Sequence, residues 1–457
     1  MKKTVVINVV GLTENLIGSH TPFIAKWREG AQAKVVKPIL PAVTCSMQAT
    51  YLTGKMPTEH GIVANGWYFK DECEIKFWRQ SNKLIQAPII WDECKKLDPS
   101  FTAANIFWWY NMYSGADYAV TPRPIYPADG RKLPDCYASP LELRDQLTAK
   151  LGTFPLFDFW GPRTTIKSSQ WIADASILVD QWHSPTLTFI YLPHLDYNCQ
   201  RHGPNHAYVH QDLTEIDEVV KQLITYYEAQ KTSVILLSEY GITSVSKPIH
   251  INRELRKNNL LAIKTELGLD MLDAGASKAF AVADHQLAHI YINDKSVTDQ
   301  VLHILKSIEG IELLITEDEK NTHGLDHERA GDIIAVADKD SWFTYYFWLD
   351  DAKAPDYART VDIHRKPGYD PVEMIANPAI KLLPLVVVGK LLKKKLGFRY
   401  MMDIIPLDAN LIKGSHGRVP ESTGDWPVFI SKNMGTYSAH EIQANSVYSL
   451  IMQHLNA

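Results

Sequence analysis

The stretch PAVTCSMQATYLTG, residues 41–54, places a hydroxyl group where chemistry could occur. Its composition predicts a short helix over 47–53 that Gly54 ends, and Pro41 favours an extended approach to that helix. Thr44 lies in the turn between them. Two interpretations are open at this point. Thr44 is either a catalytic hydroxyl displayed at a helix N-terminus or an N-cap that only satisfies backbone N–H groups.

Two carboxylates follow apolar runs that are typical of strands buried on both faces of a parallel sheet. Three such runs, rich in β-branched residues and without alternation, occupy 4–10, 186–192 and 233–238. Apolar residues at helical spacing between the second and third runs predict a β-α-β unit. The sequence therefore predicts an α/β fold with a doubly wound, mostly parallel sheet. Asp196 and Glu239 come just after the second and third runs, where such sheets bind ligands.

Composition excludes several functional classes. The chain has 457 residues and a formal net charge of −5, so it carries no electrostatic footprint for a nucleic acid polymer. Its five cysteines are odd in number and include no CxxC pair, which argues against a disulfide framework or a structural zinc site. The N-terminal apolar run breaks at Gly11 and reads as a first strand rather than a signal peptide. We expect a cytoplasmic protein.

The order of patterns along the chain predicts a core with an insertion. Residues 1–260 are expected to form the α/β core, and an aromatic-rich segment near 98–165 is expected to form long ordered loops over one face. A strand–helix–strand pattern predicts a smaller α+β cap domain over 261–345. The last segment, 346–457, is expected to return to the core.

An apolar stretch with a cationic end, LLPLVVVGKLLKKKLGFRYMM at 382–402, permits two interpretations. An apolar helix with a cationic patch can make weak contact with a membrane surface. It can equally be a buried helix whose lysine end is solvated. Sequence alone favours the buried helix.

Several motifs together resemble one family. The segment PAVTCSMQATYLTGKMPTEHGIVANGW is followed in order by HLDYNCQRHGPN, LLSEYGI and KGSHGRV. This series resembles the alkaline phosphatase superfamily, specifically its nucleotide pyrophosphatase/phosphodiesterase branch, over nearly the whole chain. The most specific part is T-x4-A-T-x-L-T-G-x-x-P-x-x-H-G-I, which is matched by Thr44, Thr50, Thr53, Gly54, Pro57, His60, Gly61 and Ile62.

The resemblance implies a fold of alkaline-phosphatase type and a threonine nucleophile. Thr44 would attack phosphorus and form a phosphothreonine that water hydrolyses. Asn65, 21 residues later, would help to hold the phosphoryl oxygens. A hydroxyl at a helix N-terminus lies where backbone N–H groups favour an incoming anion. It still needs a metal or a base to become a good nucleophile, and the family normally uses two divalent metals for this.

The expected metal ligands are only partly present. Asp196 and His416 match family ligands, whereas Gln200 replaces the histidine of the D-x-x-x-H motif. The other metal position would keep Thr44 and Glu239. It loses two ligands, since Val10 stands for an aspartate and Tyr240 for a histidine. We therefore expect one divalent ion (Zn²⁺, Mn²⁺ and Mg²⁺ are not distinguished) or none, on Asp196, Glu239 and His416 with Gln200 as a further oxygen ligand.

Other residues of the sequence could compensate for the missing ligands. His202, His206 and His364 are candidate recruited histidines. A fixed cation could instead replace a metal as the partner of phosphoryl oxygens, and the candidates for this role are Arg365, Lys366 and Arg418.

The leading hypothesis is a phosphoric-ester hydrolase of phosphodiesterase or nucleotide pyrophosphatase type, acting on a small-molecule phosphate. Thr44 would be its nucleophile and Asn65 its oxyanion donor. Aromatic residues would form the wall of the substrate site, with Trp67, Trp78, Trp108 and Trp109 as candidates. The alternatives are a metal-poor pseudoenzyme that binds a ligand, and an enzyme that passes the phosphoryl group to an acceptor alcohol.

Overall fold

A large central sheet organises the chain. The computed structural model describes residues 1–129, 131–433 and 439–457. The strands in chain order are β1 (Thr4–Val9), β2 (Gln32–Lys37), β3 (Gly66–Phe69), β4 (Glu74–Phe77), β5 (Ala103–Ile106), β6 (Tyr118–Pro122), β7 (Cys136–Ser139), β8 (Leu187–Leu192), β9 (Ser233–Leu237), β10 (Thr243–Ser244), β11 (Lys247–Ile249), β12 (Ala262–Glu266), β13 (Leu269–Asp273), β14 (Ala279–Asp284), β15 (Leu287–Ile292), β16 (Ile311–Ile315), β17 (Ile333–Ala337), β18 (Ser341–Phe343), β19 (Gly414–Ser415), β20 (Val428–Ser431) and β21 (Glu441–Gln443).

Helices connect and cover these strands. In chain order they are α1 (Pro22–Glu29), α2 (Thr44–Thr53), α3 (Pro57–His60), α4 (Ile90–Leu97), α5 (Glu142–Leu151), α6 (Leu156–Phe159), α7 (Lys167–His183), α8 (His194–His202), α9 (Ala207–Ala229), α10 (Ile251–Lys257), α11 (Thr298–Ser307), α12 (Leu383–Lys395) and α13 (Ser446–Asn456). Short 3₁₀ turns link several of them.

The central sheet has nine strands in the order β21-β2-β20-β9-β1-β8-β5-β6-β7. Its middle strands β9, β1, β8, β5 and β6 pair in parallel, and antiparallel pairs join β20 and β7 to that group. All residues of β1, β8 and β9 are buried, as expected for strands covered on both faces. The predicted mixed α/β architecture with neighbouring parallel strands over these three runs is confirmed.

The turn that carries Thr44 differs from the prediction at the start of its helix. The helix α2 begins at Thr44 rather than at residue 47, and Val43 is its N-cap residue. Thr44 is therefore the first helical residue, so the N-cap interpretation is wrong. Gly54 ends the helix in the left-handed conformation, as predicted, with φ of 68°. All ten residues of this helix are buried, because it lies in the centre of the molecule.

The segment 98–165 is more regular than predicted. Instead of forming only loops, it contributes β5, β6 and β7 to one edge of the central sheet and includes α5 and α6. These strands are only four or five residues long and are interrupted by Pro, Gly and aromatic residues, which is why no clear period is visible in the sequence.

A second sheet forms in the region predicted to be the cap. Strands β14, β15, β17 and β16 make an antiparallel four-stranded sheet in that order, and α11 lies between β15 and β16 along the chain. The hairpin β12–β13 precedes it. The strand β14 ends at Asp284, and His285 begins the turn that leads to β15.

Helix α12 contradicts the interpretation of 382–402 as a buried helix. No residue of Leu383–Lys395 is buried. The sequence pattern could not decide this, because an apolar helix covered by protein and one exposed at the surface have the same composition. A search of the described residues finds no helix that is long and apolar enough to cross a membrane.

Candidate functional site

A cavity of about 670 Å³ opens beside the carboxyl ends of the parallel strands. Its buried end, called here the cavity floor, consists of Thr44, Asp196, Tyr240, His285 and His416. Each comes from a different part of the chain. Thr44 begins α2, Asp196 lies in the first turn of α8 after β8, and Tyr240 follows β9.

A chain of hydroxyl groups connects the proposed nucleophile to a carboxylate. The phenol of Tyr240 donates to Asp196 Oδ1 at 3.1 Å. The hydroxyls of Thr44 and Tyr240 are 3.3 Å apart. Because the phenol proton is directed to Asp196, the Thr44 hydroxyl donates to the phenol oxygen. The Thr44 hydroxyl is thus linked to Asp196 through one intervening tyrosine.

Burial makes Asp196 a weak acid that can take up a proton near neutrality. Its desolvation raises the pKa to about 7, although hydrogen bonds from Tyr240 and Gln200 act in the opposite direction. The Nε2 amide group of Gln200 donates to Asp196 Oδ2 at 2.8 Å. The amide oxygen of Gln200 in turn accepts from the phenol of Tyr369 at 3.1 Å. Both ends of the Gln200 amide therefore have partners in the protein.

His416 closes the floor from the side of the chain's last segment. Its Nδ1–H donates to the carbonyl of Ala42 at 2.8 Å, and burial lowers its pKa to about 3, so the ring is neutral. The ring stacks on Tyr240 at a centroid distance of 3.6 Å. Its Nε2 lies 4.0 Å from Asp196 Oδ1. Gly414 permits this approach, because a Cβ atom there would lie 2.1 Å from the carbonyl oxygen of Cys199 in α8.

Glu239 lies behind the floor and is held by amides. Asn8 at the end of β1 and Gln48, one turn after Thr44 on α2, donate to its Oε2 at 2.6 and 2.9 Å. The carboxyl group is fully buried, and desolvation raises its pKa to about 8. Glu239 is therefore mostly neutral at pH 7. A neutral carboxyl adds no repulsion against an incoming phosphate.

Asn65 fixes the backbone of the turn that carries Thr44. Its Oδ1 accepts from the backbone N–H of Cys45, the residue after Thr44, at 3.0 Å. Its own N–H and its Nδ2 donate to the two carboxylate oxygens of Asp284 at 2.7 and 3.1 Å. Burial raises the pKa of Asp284 to about 7. The predicted role of Asn65 as an oxyanion donor remains a prediction.

Sequence analysis missed Asp284, His285, Asn8, Gln48 and Tyr369. Asp284 ends β14 and His285 begins the turn to β15, and this polar pair looks like part of an ordinary hairpin in the sequence. His285 stacks on Tyr369 and His416, with centroid distances of 3.6 and 3.7 Å. Only the position of Gln48, four residues after Thr44, could have been inferred, because residues at that spacing share a helix face.

The family's pair of metals does not fit this set of donors. Val10 has no donor atom, and burial raises the pKa of Tyr240 well above its ordinary value, so the phenol stays protonated and donates instead of ligating. The Gln200 amide is occupied at both ends. Asp196 and His416 Nε2 are left facing each other, and Glu239 Oε1 is also buried without a hydrogen-bond partner. These three donors fall short of the eight that two zinc ions would usually take, four each.

The candidates for compensation lie elsewhere or have other partners. His202 and His206 stack on each other at the surface, outside the cavity lining, and exposed His364 lines the cavity without belonging to the floor. Buried Lys366 pairs with Asp370 and Glu373, Arg365 pairs with Asp356, and Arg418 pairs with Glu312 and Glu421. These cations do not line the cavity, so the prediction that one of them replaces a metal there is wrong.

One group elsewhere in the described residues has metal-ligand geometry: His194, Asp212 and Glu215. The imidazole lies 3.4 Å from Asp212 and 3.0 Å from Glu215. Burial disfavours its charge, but the two carboxylates outweigh this and raise its pKa. The three residues therefore form a buried ion pair between the start of α8 and α9.

The cavity wall is aromatic and cationic. Its charged side chains are Arg123, Lys132, Arg163 and Lys394, against the single carboxylate of Asp196. Of the four tryptophans predicted to form the wall, Trp78 and Trp109 line the cavity. Trp67 and Trp108 do not: Trp67 stacks on Phe69, and the Trp108 indole donates to the carbonyl of Ile190. Positive charge and aromatic surface together suit an anion with a large apolar part.

Comparisons with known proteins give the family and the fold type of this chain. Residues 4–370 match the model of the type I phosphodiesterase/nucleotide pyrophosphatase family. Murine ectonucleotide pyrophosphatase/phosphodiesterase 5, in an inactive form in complex with AMP, has a similar structure, with a TM-score of 0.60 at 14% identity over 100% of this chain and 95% of that one.

Phosphonoacetate hydrolase from Sinorhizobium meliloti, in complex with phosphonoformate, has a TM-score of 0.64 at 12% identity over 99% of this chain and 96% of that one. The search of curated proteins finds no match. The two structural neighbours show that the fold is of alkaline-phosphatase type, as the motifs implied.

Proposed function

The chain belongs to the type I phosphodiesterase/nucleotide pyrophosphatase family, and we propose that it hydrolyses a phosphoric ester of a small molecule with Thr44 as nucleophile. The observation that carries the proposal is the hydrogen-bonded series from Thr44 through Tyr240 to Asp196 at the buried end of a cationic, aromatic cavity. Such an arrangement supplies a base to a hydroxyl that is otherwise a weak nucleophile.

In the first step, Thr44 Oγ forms a bond to phosphorus as the bond from phosphorus to the leaving oxygen breaks. The Thr44 proton passes to the oxygen of Tyr240, and the Tyr240 proton passes to Asp196 Oδ1. With a pKa of about 7, Asp196 is a base of suitable strength at neutral pH. The leaving group takes its proton from solvent.

In the second step, water attacks the phosphothreonine. The new bond from water oxygen to phosphorus forms as the bond from phosphorus to Thr44 Oγ breaks. A water proton is released to solvent, and Asp196 returns its proton through Tyr240 to Thr44. The cavity cations Arg123, Lys132, Arg163 and Lys394 supply the positive charge that favours an anionic substrate.

The substrate class follows from the shape and chemistry of the wall. Structural neighbours bind AMP and phosphonoformate, which are small anions with a phosphate or phosphonate group. The wall here adds Trp78, Trp109, Phe159 and Trp160 around the cavity. We therefore propose a phosphate ester or diester whose remaining part is aromatic or aliphatic rather than strongly polar.

The direct test is turnover of 4-nitrophenyl phosphate and bis(4-nitrophenyl) phosphate by the purified protein, with chelator and with added Mn²⁺, Mg²⁺ or Zn²⁺. Acid quenching during turnover followed by mass spectrometry of peptides should find phosphate on Thr44. Products analysed in the presence of an acceptor alcohol distinguish hydrolysis from phosphoryl transfer. Turnover that leaves Thr44 unmodified, and that persists after Thr44→Ala, would disprove the nucleophile.

A specific observation favours a second candidate, a ligand-binding pseudoenzyme. Asp196, Gln200 and Tyr240 stand where the family places metal ligands, and each is already hydrogen-bonded to another protein group. If this is the function, the protein should bind phosphate esters as tightly after Thr44→Ala as before, and no divalent ion should elicit turnover. Calorimetric titration with a nitrophenyl phosphate measures the binding affinity independently of turnover.

A further inference from the structure

The helix α12 presents an apolar stripe to solvent. Leu385, Val388, Leu392 and Leu396 follow one another at spacings of three or four residues, so they share one face. They are 65, 50, 54 and 72% exposed. A helix at the surface of a globular protein normally directs its polar face outward, and this one does the reverse.

The opposite face of the same helix belongs to the cavity. Leu383, Val387, Leu391 and Lys394 line the cavity wall, and Leu383 and Val387 are less exposed than their neighbours. The helix is therefore the partition between the cavity and solvent.

The exposed apolar surface is concentrated here. Nine of the nineteen exposed large hydrophobic residues in the described part of the chain fall between 382 and 401, including Leu382, Phe398 and Met401. Scattered surface leucines need no explanation, but a contiguous group indicates a surface that a membrane or another protein covers.

The charge of this segment indicates which kind of partner covers the stripe. Residues 381–402 contain five lysines and one arginine and no acidic residue, whereas the chain as a whole has a net charge of −5. Lys390 is held by Asp403, while Lys393 and Lys395 are exposed beside the stripe. Apolar residues flanked by exposed lysines match an anionic lipid surface, where the side chains enter the acyl boundary and the cations meet headgroups.

The length of the helix fixes the mode of contact. Its 13 residues span about 20 Å, and a bilayer's hydrocarbon core is about 30 Å thick. We propose that α12 lies flat on an anionic lipid bilayer through Leu385, Val388, Leu392 and Leu396, with Lys393 and Lys395 against the headgroups. The cavity behind α12 then lies next to the lipid surface. This inference stands independently of catalysis by Thr44.

The test is flotation of the full chain with vesicles of phosphatidylcholine alone and of phosphatidylcholine mixed with phosphatidylserine. We expect binding to the mixed vesicles and much weaker binding to the neutral ones. The stripe variant, with Leu385, Val388, Leu392 and Leu396 all changed to Ser, should bind mixed vesicles at least about a hundredfold more weakly.

A matched control changes four exposed leucines of other surfaces, Leu97, Leu141, Leu267 and Leu349, to Ser. This control should bind as the unchanged protein does. Because all eight residues are exposed, both variants should keep the thermal unfolding midpoint of the parent, which separates lost binding from lost folding.

A charge variant tests the second half of the proposal. Lys393→Glu with Lys395→Glu should weaken binding to mixed vesicles by at least about tenfold. Added salt should also weaken the binding of the parent protein to these vesicles. Its control is Lys306→Glu with Lys353→Glu, two exposed lysines outside the segment.

Three results would overturn the proposal. The parent protein could fail to float with anionic vesicles, or the stripe variant could float as well as the parent. Light scattering could also show that the parent is a dimer that the stripe variant converts to monomers, which would assign the stripe to a second copy of the chain instead.

Discussion

The cavity floor and the helix α12 face the same cavity, but they are built in opposite ways. The floor is polar and buried, and Thr44, Tyr240, Asp196 and Gln200 form a continuous series of hydrogen bonds. Helix α12 is apolar and has no buried residue. The difference shows that the fold fixes the groups of the floor by hydrogen bonds between distant segments and leaves the outer face of α12 unburied.

The largest expected effect is at the nucleophile. Thr44→Ala removes the atom that bonds to phosphorus, so turnover of an accepted nitrophenyl ester should fall by at least about 10³-fold, while Thr44→Ser keeps part of it. Thr50→Ala on the same helix is the control, since its hydroxyl donates to the carbonyl of Ser46. Steady-state kinetics measure the turnover of both variants. Equal losses would show that the effect of Thr44→Ala comes from disturbed structure rather than from a lost nucleophile.

The next effect tests the proton path. Tyr240→Phe interrupts the link between Thr44 and Asp196 and should lower kcat by about 10²-fold, within the range of general acid–base catalysis. In the parent, kcat/KM should rise as Asp196 ionises near its pKa of about 7 and fall as Glu239 ionises near its pKa of about 8. The variant should lose the rising limb. Tyr346→Phe, a buried tyrosine outside the cavity, should leave the profile unchanged.

The free energy of unfolding should depend on pH through three buried carboxyl groups at and behind the cavity floor. The pKa values of Asp196, Glu239 and Asp284 are raised in the folded chain, to about 7, 8 and 7. Folding therefore favours their protonated forms, and the stabilisation is complete below the unfolded pKa values of about 4. It is lost as pH rises through 7 to 8. We expect the free energy of unfolding to fall by at least about 2 kcal/mol between about pH 6 and pH 9.

Denaturant titrations at several pH values measure this change. Glu239→Gln should reduce the pH dependence, because the amide keeps an oxygen for Asn8 and Gln48 and does not ionise. An unfolding free energy that increases with pH over this interval would contradict the raised pKa values.

Removing one buried amide side chain should lower the free energy of unfolding more than replacing an exposed leucine. Asn65→Ala leaves the Cys45 N–H and Asp284 Oδ1 without their partner, and the free energy of unfolding should fall by about 2 kcal/mol. Leu392→Ser in the exposed stripe should change it by less than about 0.5 kcal/mol. If the leucine proves as costly as the asparagine, α12 is packed against protein rather than exposed.

The smallest expected change concerns metal. The unmodified protein should hold at most one tightly bound divalent ion, on Asp196 and His416. Val10→Asp combined with Tyr240→His restores two ligands and should raise the metal content toward two ions per chain. Elemental analysis after dialysis measures it. Two ions in the unmodified protein, bound with a recruited histidine, would contradict the prediction.

The sequence by itself was enough for the family and for the middle of the fold. The motif around Thr44 and the runs that became β1, β8 and β9 depend on local patterns, so they could be read without a structure. The match over residues 4–370 confirms the family. The same local reasoning failed for β5, β6 and β7, because short strands broken by Pro and Gly carry too few residues for a period.

Only the tertiary structure decided how the substituted ligands are used. A tyrosine in place of a histidine reads as a lost metal ligand, but stacking on His416 directs its phenol between Thr44 and Asp196. Asp284 reaches Asn65 from a separate sheet, 219 residues away along the chain. Likewise, periodicity shows that α12 has an apolar face but not what covers it. These outcomes depend on contacts between distant segments, and no local pattern contains them.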